Sequence, residues 1–294
     1  MNTISRSELP LALAEVGVSP GQIIYLQTDL RAPGRLEGVK TKQEFCNAYL
    51  GPLLDCIGTN GTLVAPTFST QVARYDIDFI WEETPTKLGL FPEFIRSHPD
   101  SLRSLHPLHS VSAIGALKDQ ICSNNGASDF GWDSPYHRMI EAGANILTIG
   151  LEPSFAVAIA NSLEALCGLP YNYNKLLKWR PIIGGIRSET EYFSNARHLS
   201  LNTRHILRHF ADRADEAGLI RRISFGASTI QMSNMREVFD FGVEFLKREP
   251  YGLLESPPTF EYGVVPFDGP TIGRDGIGDR VIPETENRSA KADS

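Results

Sequence analysis

Short apolar runs alternate with longer amphipathic stretches along the first half of the chain. QIIYLQ (22–27) and TLVAPT (62–67) are rich in apolar and β-branched residues, and the second follows the turn formers Gly58, Thr59, Asn60 and Gly61. Both are expected as buried strands. Between them Phe45, Tyr49, Leu53 and Ile57 recur at helical spacing, so strand, helix and strand open an α/β sheet. SVSAIGA (110–116) and NILTIGL (145–151) repeat the strand signature, separated by SPYHRMIEAG, a short helix stopped by Gly143. After a loop, AIANSLEALCGLPYNY (158–173) reads as a helix that places Asn161 and Glu164, three residues apart, on one face. A carboxylate and an amide in so apolar a run either meet solvent or line a site.

From about residue 184 the pattern shifts to alternating polar and apolar positions. A helix over 198–217, a strand-like RRISFGASTIQMS and a helix from Asn234 to Lys247 follow. The expected architecture is therefore α/β: a central mixed sheet flanked by helices (core lobe about 20–183) with a smaller α+β lobe (about 184–255). The two form one domain over 1–255, and residues 256–294, rich in Pro, Gly and polar residues, are an extended or disordered tail.

The 294 residues are 41% hydrophobic with a net charge of -7, enough to bury a large core and too acidic for a nucleic-acid surface. The locally basic stretch 197–213 reads as the solvated face of a helix. No apolar run approaches a membrane span, and the N-terminus lacks the pattern of a leader, which points to the cytoplasm. Cys46, Cys56, Cys122 and Cys167 form no C-x-x-C pair, so reduced, packed thiols are expected rather than a disulfide framework or a zinc site.

Chemistry concentrates in a few places. QTDLRAPGR (27–35) carries polar side chains and Gly34 out of the first strand, where open α/β sheets contact ligands. RSLHPLHS (103–110) presents His106 and His109 from a segment stiffened by Pro107. EETPTKLGLFPEFIRSHP (82–99) places Glu93 and Arg96 as an ordinary surface ion pair. G-x-S-x-G, P-loop and G-x-G-x-x-G motifs are all missing, which removes the common hydrolase, nucleotide and dinucleotide readings.

In order, QTDL (27–30), GTLVAPTF (61–68), TPTKLG (84–89), RSLHPLHS (103–110), SPYHRM (134–139), NSLE (161–164) and LPYNY (169–173) resemble the motifs of the aminoglycoside 3-N-acetyltransferase family, over roughly residues 20–255. The resemblance implies a dedicated α/β fold and transfer of an acetyl group from acetyl-coenzyme A, as co-substrate and without a metal, to an amine of a sugar or aminocyclitol. It implies that Gln27, Thr28, Asp29 and Leu30, with Arg103, Ser104, His106 and Ser110, contact coenzyme A. The family's base is a His three residues before a carboxylate; Glu164 matches the carboxylate, but Asn161 stands where the His belongs. Gln27 likewise replaces a His, and Asp29 a Ser, in the first loop.

An amide does not accept a proton at neutral pH. Three readings follow from that substitution. In one, the chain remains an N-acyltransferase on an amino-sugar or aminoglycoside-like biosynthetic intermediate, with the amine needing little help, or with the departing thiolate, Glu164, Asp29 or His106 taking the proton. In another, the scaffold runs a related step with a different donor or nucleophile; in the last, it only binds a ligand. The expected partner is a small-molecule amine, and a homodimer is left open.

Overall fold

The computed structural model describes residues 3–151, 155–198, 201 and 203–260, with the side chains of 155–158 left aside. Two short strands, β1 (Thr3–Ile4) and β3 (Arg35–Leu36), pair at the rim, on either side of helix α1 (Glu8–Val16) and strand β2 (Ile23–Thr28) in the chain. Helix α2 (Lys42–Ile57) starts at a capping box in which Thr41 and Glu44 satisfy each other's backbone N–H groups. It leads to β4 (Thr62–Pro66), as the apolar spacing predicts. Short helices α3 (Gln71–Tyr75) and α4 (Leu90–Arg96) precede β5 (Leu102–Arg103) and β6 (Val111–Gly115). Then come α5 (Lys118–Cys122), α6 (Pro135–Glu141) and β7 (Asn145–Ile149). Ser134 caps α6 through the His137 N–H, and Pro135 occupies the first turn, where its missing donor is not needed.

Helix α7 (Phe155–Cys167) is followed by two hairpins: β8 (Asn172–Leu176) pairs with β11 (Phe193–Arg197), and β9 (Ile182–Ile183) with β10 (Ile186–Arg187). The chain then forms α8 (Arg208–Glu216), β12 (Arg221–Phe225), β13 (Ser228–Asn234) and α9 (Met235–Arg248). The main sheet has seven strands in the order β12-β13-β7-β2-β4-β6-β5, with β7, β2 and β4 parallel and the outer pairings antiparallel.

Alternate residues of β2 fix the two layers. Ile24 and Leu26 pack with Leu13, Tyr49, Leu53, Phe91 and Ile95 of α1, α2 and α4. Tyr25, on the opposite face, packs with Tyr136, Ile159, Leu163, Phe210 and Val238 of α6, α7, α8 and α9. Both faces of the sheet are thus covered, as parallel strands require. Burying one such Leu or Tyr fully contributes about 1.5–3 kcal/mol before entropy. Gly242 brings α9 close to α7, since a Cβ there would lie 2.4 Å from Leu163 Cδ1.

The lobe boundary is redrawn by this topology. β12 and β13 extend the central sheet beyond β7 and α9 packs on α6 and α7, so 221–248 belongs to the core layer. The peripheral part is the pair of hairpins in 172–197, seated on a small cluster of Val72, Phe79, Leu108, Leu177 and Tyr192. The helix expected over 198–217 begins only at Arg208, because the preceding segment bonds elsewhere. Arg197 Nη1 donates to Thr203 O at 2.7 Å, Thr203 Oγ1 to His198 O at 3.1 Å, and Ile206 N to Leu253 O at 3.0 Å. Leu253 and Leu254 are buried, so the packed chain reaches that point; of the expected tail, 261–294 lie outside the described residues. The cysteines are unpaired thiols, and no described helix is long and apolar enough to cross a membrane.

Candidate active site

The parallel strands β2 and β7 end side by side, and the loop after β2 crosses that edge. Asp29 N donates to Ile149 O at 2.9 Å, and Gly150, at φ +77°, admits the crossing because a Cβ there would sit 2.2 Å from Asp29 O. Gln27, Thr148 and Gln231 lie in register across β2, β7 and β13 on the α7 side of the sheet. Gln27 Oε1, Thr148 Oγ1 and Gln231 Oε1 are buried without a hydrogen-bond partner. Thr28 ends β2 half-buried, whereas the Leu30 side chain packs into the α1–α2 layer and leaves only its backbone for a ligand.

Asp29 is not poised as a base. Arg31 grips it from its backbone N and through Nε and Nη2, both at 2.9 Å. Those bonds hold its carboxyl below the usual carboxylate range.

RSLHPLHS folds into an internal scaffold. Arg103 is 5% exposed. Its five guanidinium N–H groups donate to Ser110 Oγ, Trp81 O, Thr84 O, Thr67 O and Ser69 Oγ. Burial, with Arg96 nearby, pulls its pKa down to about 9. Ser104 Oγ accepts from Val111 N, and Ser110 Oγ donates to Thr67 O. The expectation that Arg103, Ser104 and Ser110 contact coenzyme A therefore meets side chains that are buried and already committed inside the protein.

His106 is committed in the same way. Its Nδ1 accepts from the N–H groups of Leu108 and His109, so Nε2 carries the proton and donates to Phe193 O at 3.2 Å. Burial lowers its pKa to about 4. With neither nitrogen open, it cannot collect a substrate proton, contrary to the expectation for this residue.

The native protein thus holds His106 neutral until about pH 4, while the unfolded chain binds that proton near 6.5. Stability is fully present above about 6.5 and falls as pH drops towards about 4, by about 3 kcal/mol. Chemical denaturation between pH 7.5 and 4 should show that loss. His106→Gln, which can still accept and donate at this place, should flatten it.

His109 donates through Nδ1 to the fully buried Asp129 at 3.0 Å, and its ring is lodged between Phe68 and Phe130, each 5.0 Å away. Burial raises the Asp129 carboxyl, but the hydrogen bonds from His109 and Ser194, with the electrostatic attraction of the neighbouring rings, outweigh it and leave the carboxyl below its usual range. Asp129 also accepts from Asn195 N at 3.1 Å and Phe130 N at 2.8 Å. This pair ties β11 to the loop before α6.

Glu164 lies 3% exposed on α7, and His205 Nε2 stands 2.6 Å from its Oε1. Tyr171 packs beside the carboxylate, and burial with Glu164's charge drives its hydroxyl pKa upward. Asn161 sits half-buried one turn earlier on the same face. Helical spacing puts Asn161 and Glu164 together but gives no sign of His205, which lies in a stretch that reads as a solvated helix. The available signal was energetic: a carboxylate among apolar residues needs a partner, and sequence does not say which. Among the described residues, no group of three or more His, Cys, Asp or Glu is arranged to hold a metal ion.

The family profile described as Aminoglycoside 3-N-acetyltransferase covers residues 26–247, and the chain belongs to that family of acyltransferases. Aminoglycoside N(3)-acetyltransferase VII of Streptomyces paromomycinus is 26% identical over 275 residues, spanning 84% of this chain and 92% of that protein. Aminoglycoside N(3)-acetyltransferase III of Serratia marcescens is 27% identical over 202 residues, spanning 63% and 71%. Among solved structures, aminoglycoside acetyltransferase AAC(3)-Xa superposes with a TM-score of 0.72 at 20% identity, covering 86% of this chain and 95% of its own. AAC-IIIb bound to CoASH gives 0.70 at 19%, covering 87% and 100%.

Proposed function

We propose that the protein transfers the acetyl group of acetyl-coenzyme A to an amine of an aminoglycoside or a related amino-sugar intermediate, in the cytoplasm. The observation that carries this reading is Glu164. It stands where the resemblance puts the family's carboxylate, is buried, and is engaged by an imidazole although Asn161 stands where the resemblance puts the family's His. Family membership over 26–247 supports the reaction class. One neighbour of the same fold was solved with CoASH and another, AAC-VIa, with sisomicin.

In this reaction the amine nitrogen attacks the thioester carbonyl. The C–N bond forms, the C–S bond breaks with its electron pair leaving on sulfur, and the amine loses a proton. Gln27, Thr28, Asp29 and the Leu30 backbone, at the ends of the parallel strands, are the proposed contacts for coenzyme A, the crevice where open α/β sheets bind ligands. Arg103, Ser104, His106 and Ser110 act within the protein, bracing the segments around Thr67, Thr84 and Phe193.

Calorimetry with acetyl-coenzyme A tests the donor. Micromolar binding, weakened by Gln27→Ala, supports the reading; no heat of binding contradicts it. Asn161→Ala should leave kcat close to wild type and act on KM, since an amide orients but does not accept the proton. A loss of about 10²-fold in kcat would make Asn161 part of the chemical step.

A further inference from the structure

We infer that His205 is the general base of the transfer, standing on Glu164 in place of the helix-borne His that Asn161 has replaced. The inference rests on the acetyl-transfer reading above and adds the group that takes the proton. Glu164 accepts from Nε2–H of His205 at 2.6 Å, which fixes the tautomer and leaves the lone pair on Nδ1. Nδ1 makes no hydrogen bond among the described residues, and the side chain as a whole is 19% exposed. The ring therefore has one nitrogen held and one open.

The backbone around it is tied down on both sides. Ile206 N donates to Leu253 O at 3.0 Å and Glu255 N to Arg204 O at 2.9 Å, a bridge that pairs His205 with Leu254. A base held this way loses little freedom when the substrate arrives. The charged and titratable groups nearby are Glu164 of α7, Tyr171 beside it, Arg197 at the end of β11 and the Arg204–Glu255 pair flanking the bridge.

Of the other groups the motifs single out, His106 has both nitrogens bonded and Asp29 is clamped by Arg31, while His109, held on Asp129 between two Phe rings, is not joined to Glu164. In the step, the amine nitrogen bonds the thioester carbon and its proton passes to His205 Nδ1. Glu164 carries the balancing negative charge for the imidazolium. Collapse of the tetrahedral intermediate releases the thiolate, which takes the proton back from His205 or from water.

The test compares wild type, His205→Gln and His205→Ala with acetyl-coenzyme A and sisomicin. Gln keeps a donor towards Glu164 and controls for folding; Ala leaves room for added imidazole. Both variants should lose about 10²- to 10⁴-fold in kcat with unchanged acetyl-coenzyme A affinity. In the kcat/KM profile of the variants only the substrate amine's own titration should remain, and imidazole should restore part of the His205→Ala rate. A His205→Gln enzyme as fast as wild type overturns the assignment. So does a loss that imidazole does not rescue and that leaves the pH profile intact, since that marks a purely structural strut. A wild type that neither binds acetyl-coenzyme A nor turns over sinks the acetyl-transfer reading itself, and this inference with it.

Discussion

Glu164→Gln is expected to lower kcat by about 10²- to 10⁴-fold while leaving acetyl-coenzyme A affinity unchanged. The substitution is nearly isosteric, and the amide oxygen can still accept from His205 Nε2, so the 2.6 Å contact survives without its charge. What disappears is the electrostatic support for an imidazolium in a site where Glu164 is almost wholly buried. Steady-state kinetics with circular dichroism as a fold control reads the effect. A variant with wild-type kcat would show that the carboxylate only braces α7 against the segment before α8.

Arg103→Met should act on stability rather than on ligand affinity. The guanidinium is buried without a carboxylate in direct contact, donating instead to three backbone carbonyls and two hydroxyls and lying 4.8 Å from the centre of the Phe79 ring. Met fills much of the volume but leaves Trp81 O, Thr84 O and Thr67 O without this donor. Orphaned buried acceptors cost about 1–3 kcal/mol each before relaxation, so a net loss of about 3–5 kcal/mol is expected. At about 2–4 °C per kcal/mol for a domain of this size, calorimetric Tm should fall by about 6–20 °C. An unchanged Tm with weakened coenzyme A binding would instead restore Arg103 to the ligand.

The core sheet was legible because its cues are local. The apolar runs at 22–27, 62–67, 110–116 and 145–151 became β2, β4, β6 and β7, and the Phe45–Ile57 periodicity became α2. Helix α9 likewise starts behind Asn234, whose side chain caps it through Arg236 N and Glu237 N. The assignment of 221–234 to a separate lobe failed for a different reason: which strand pairs with which is a long-range matter, and nothing local in RRISFGASTIQMS says that it will join β7.

Site residues divide along the same line. Motif order singles out Glu164, Asn161 and the 27–30 loop as candidates, and helical spacing puts Glu164 on one face with Asn161. The motif RSLHPLHS was found as well, but sequence could not distinguish polar groups that face a ligand from polar groups that hold each other. In the fold, Arg103 and His106 are of the second kind. His205 was invisible because its partner lies 41 residues away on α7 and because its own segment, periodic enough to suggest a helix, is held by bonds to residues 253–255 instead.

The most direct measurement is release of free thiol from acetyl-coenzyme A in the presence of sisomicin, with the product followed by mass spectrometry. Continuous thiol release that depends on the amine, matched by a singly N-acetylated product, is the expected result. Thiol release independent of the amine, or none across a panel of aminoglycosides and amino sugars, would contradict it.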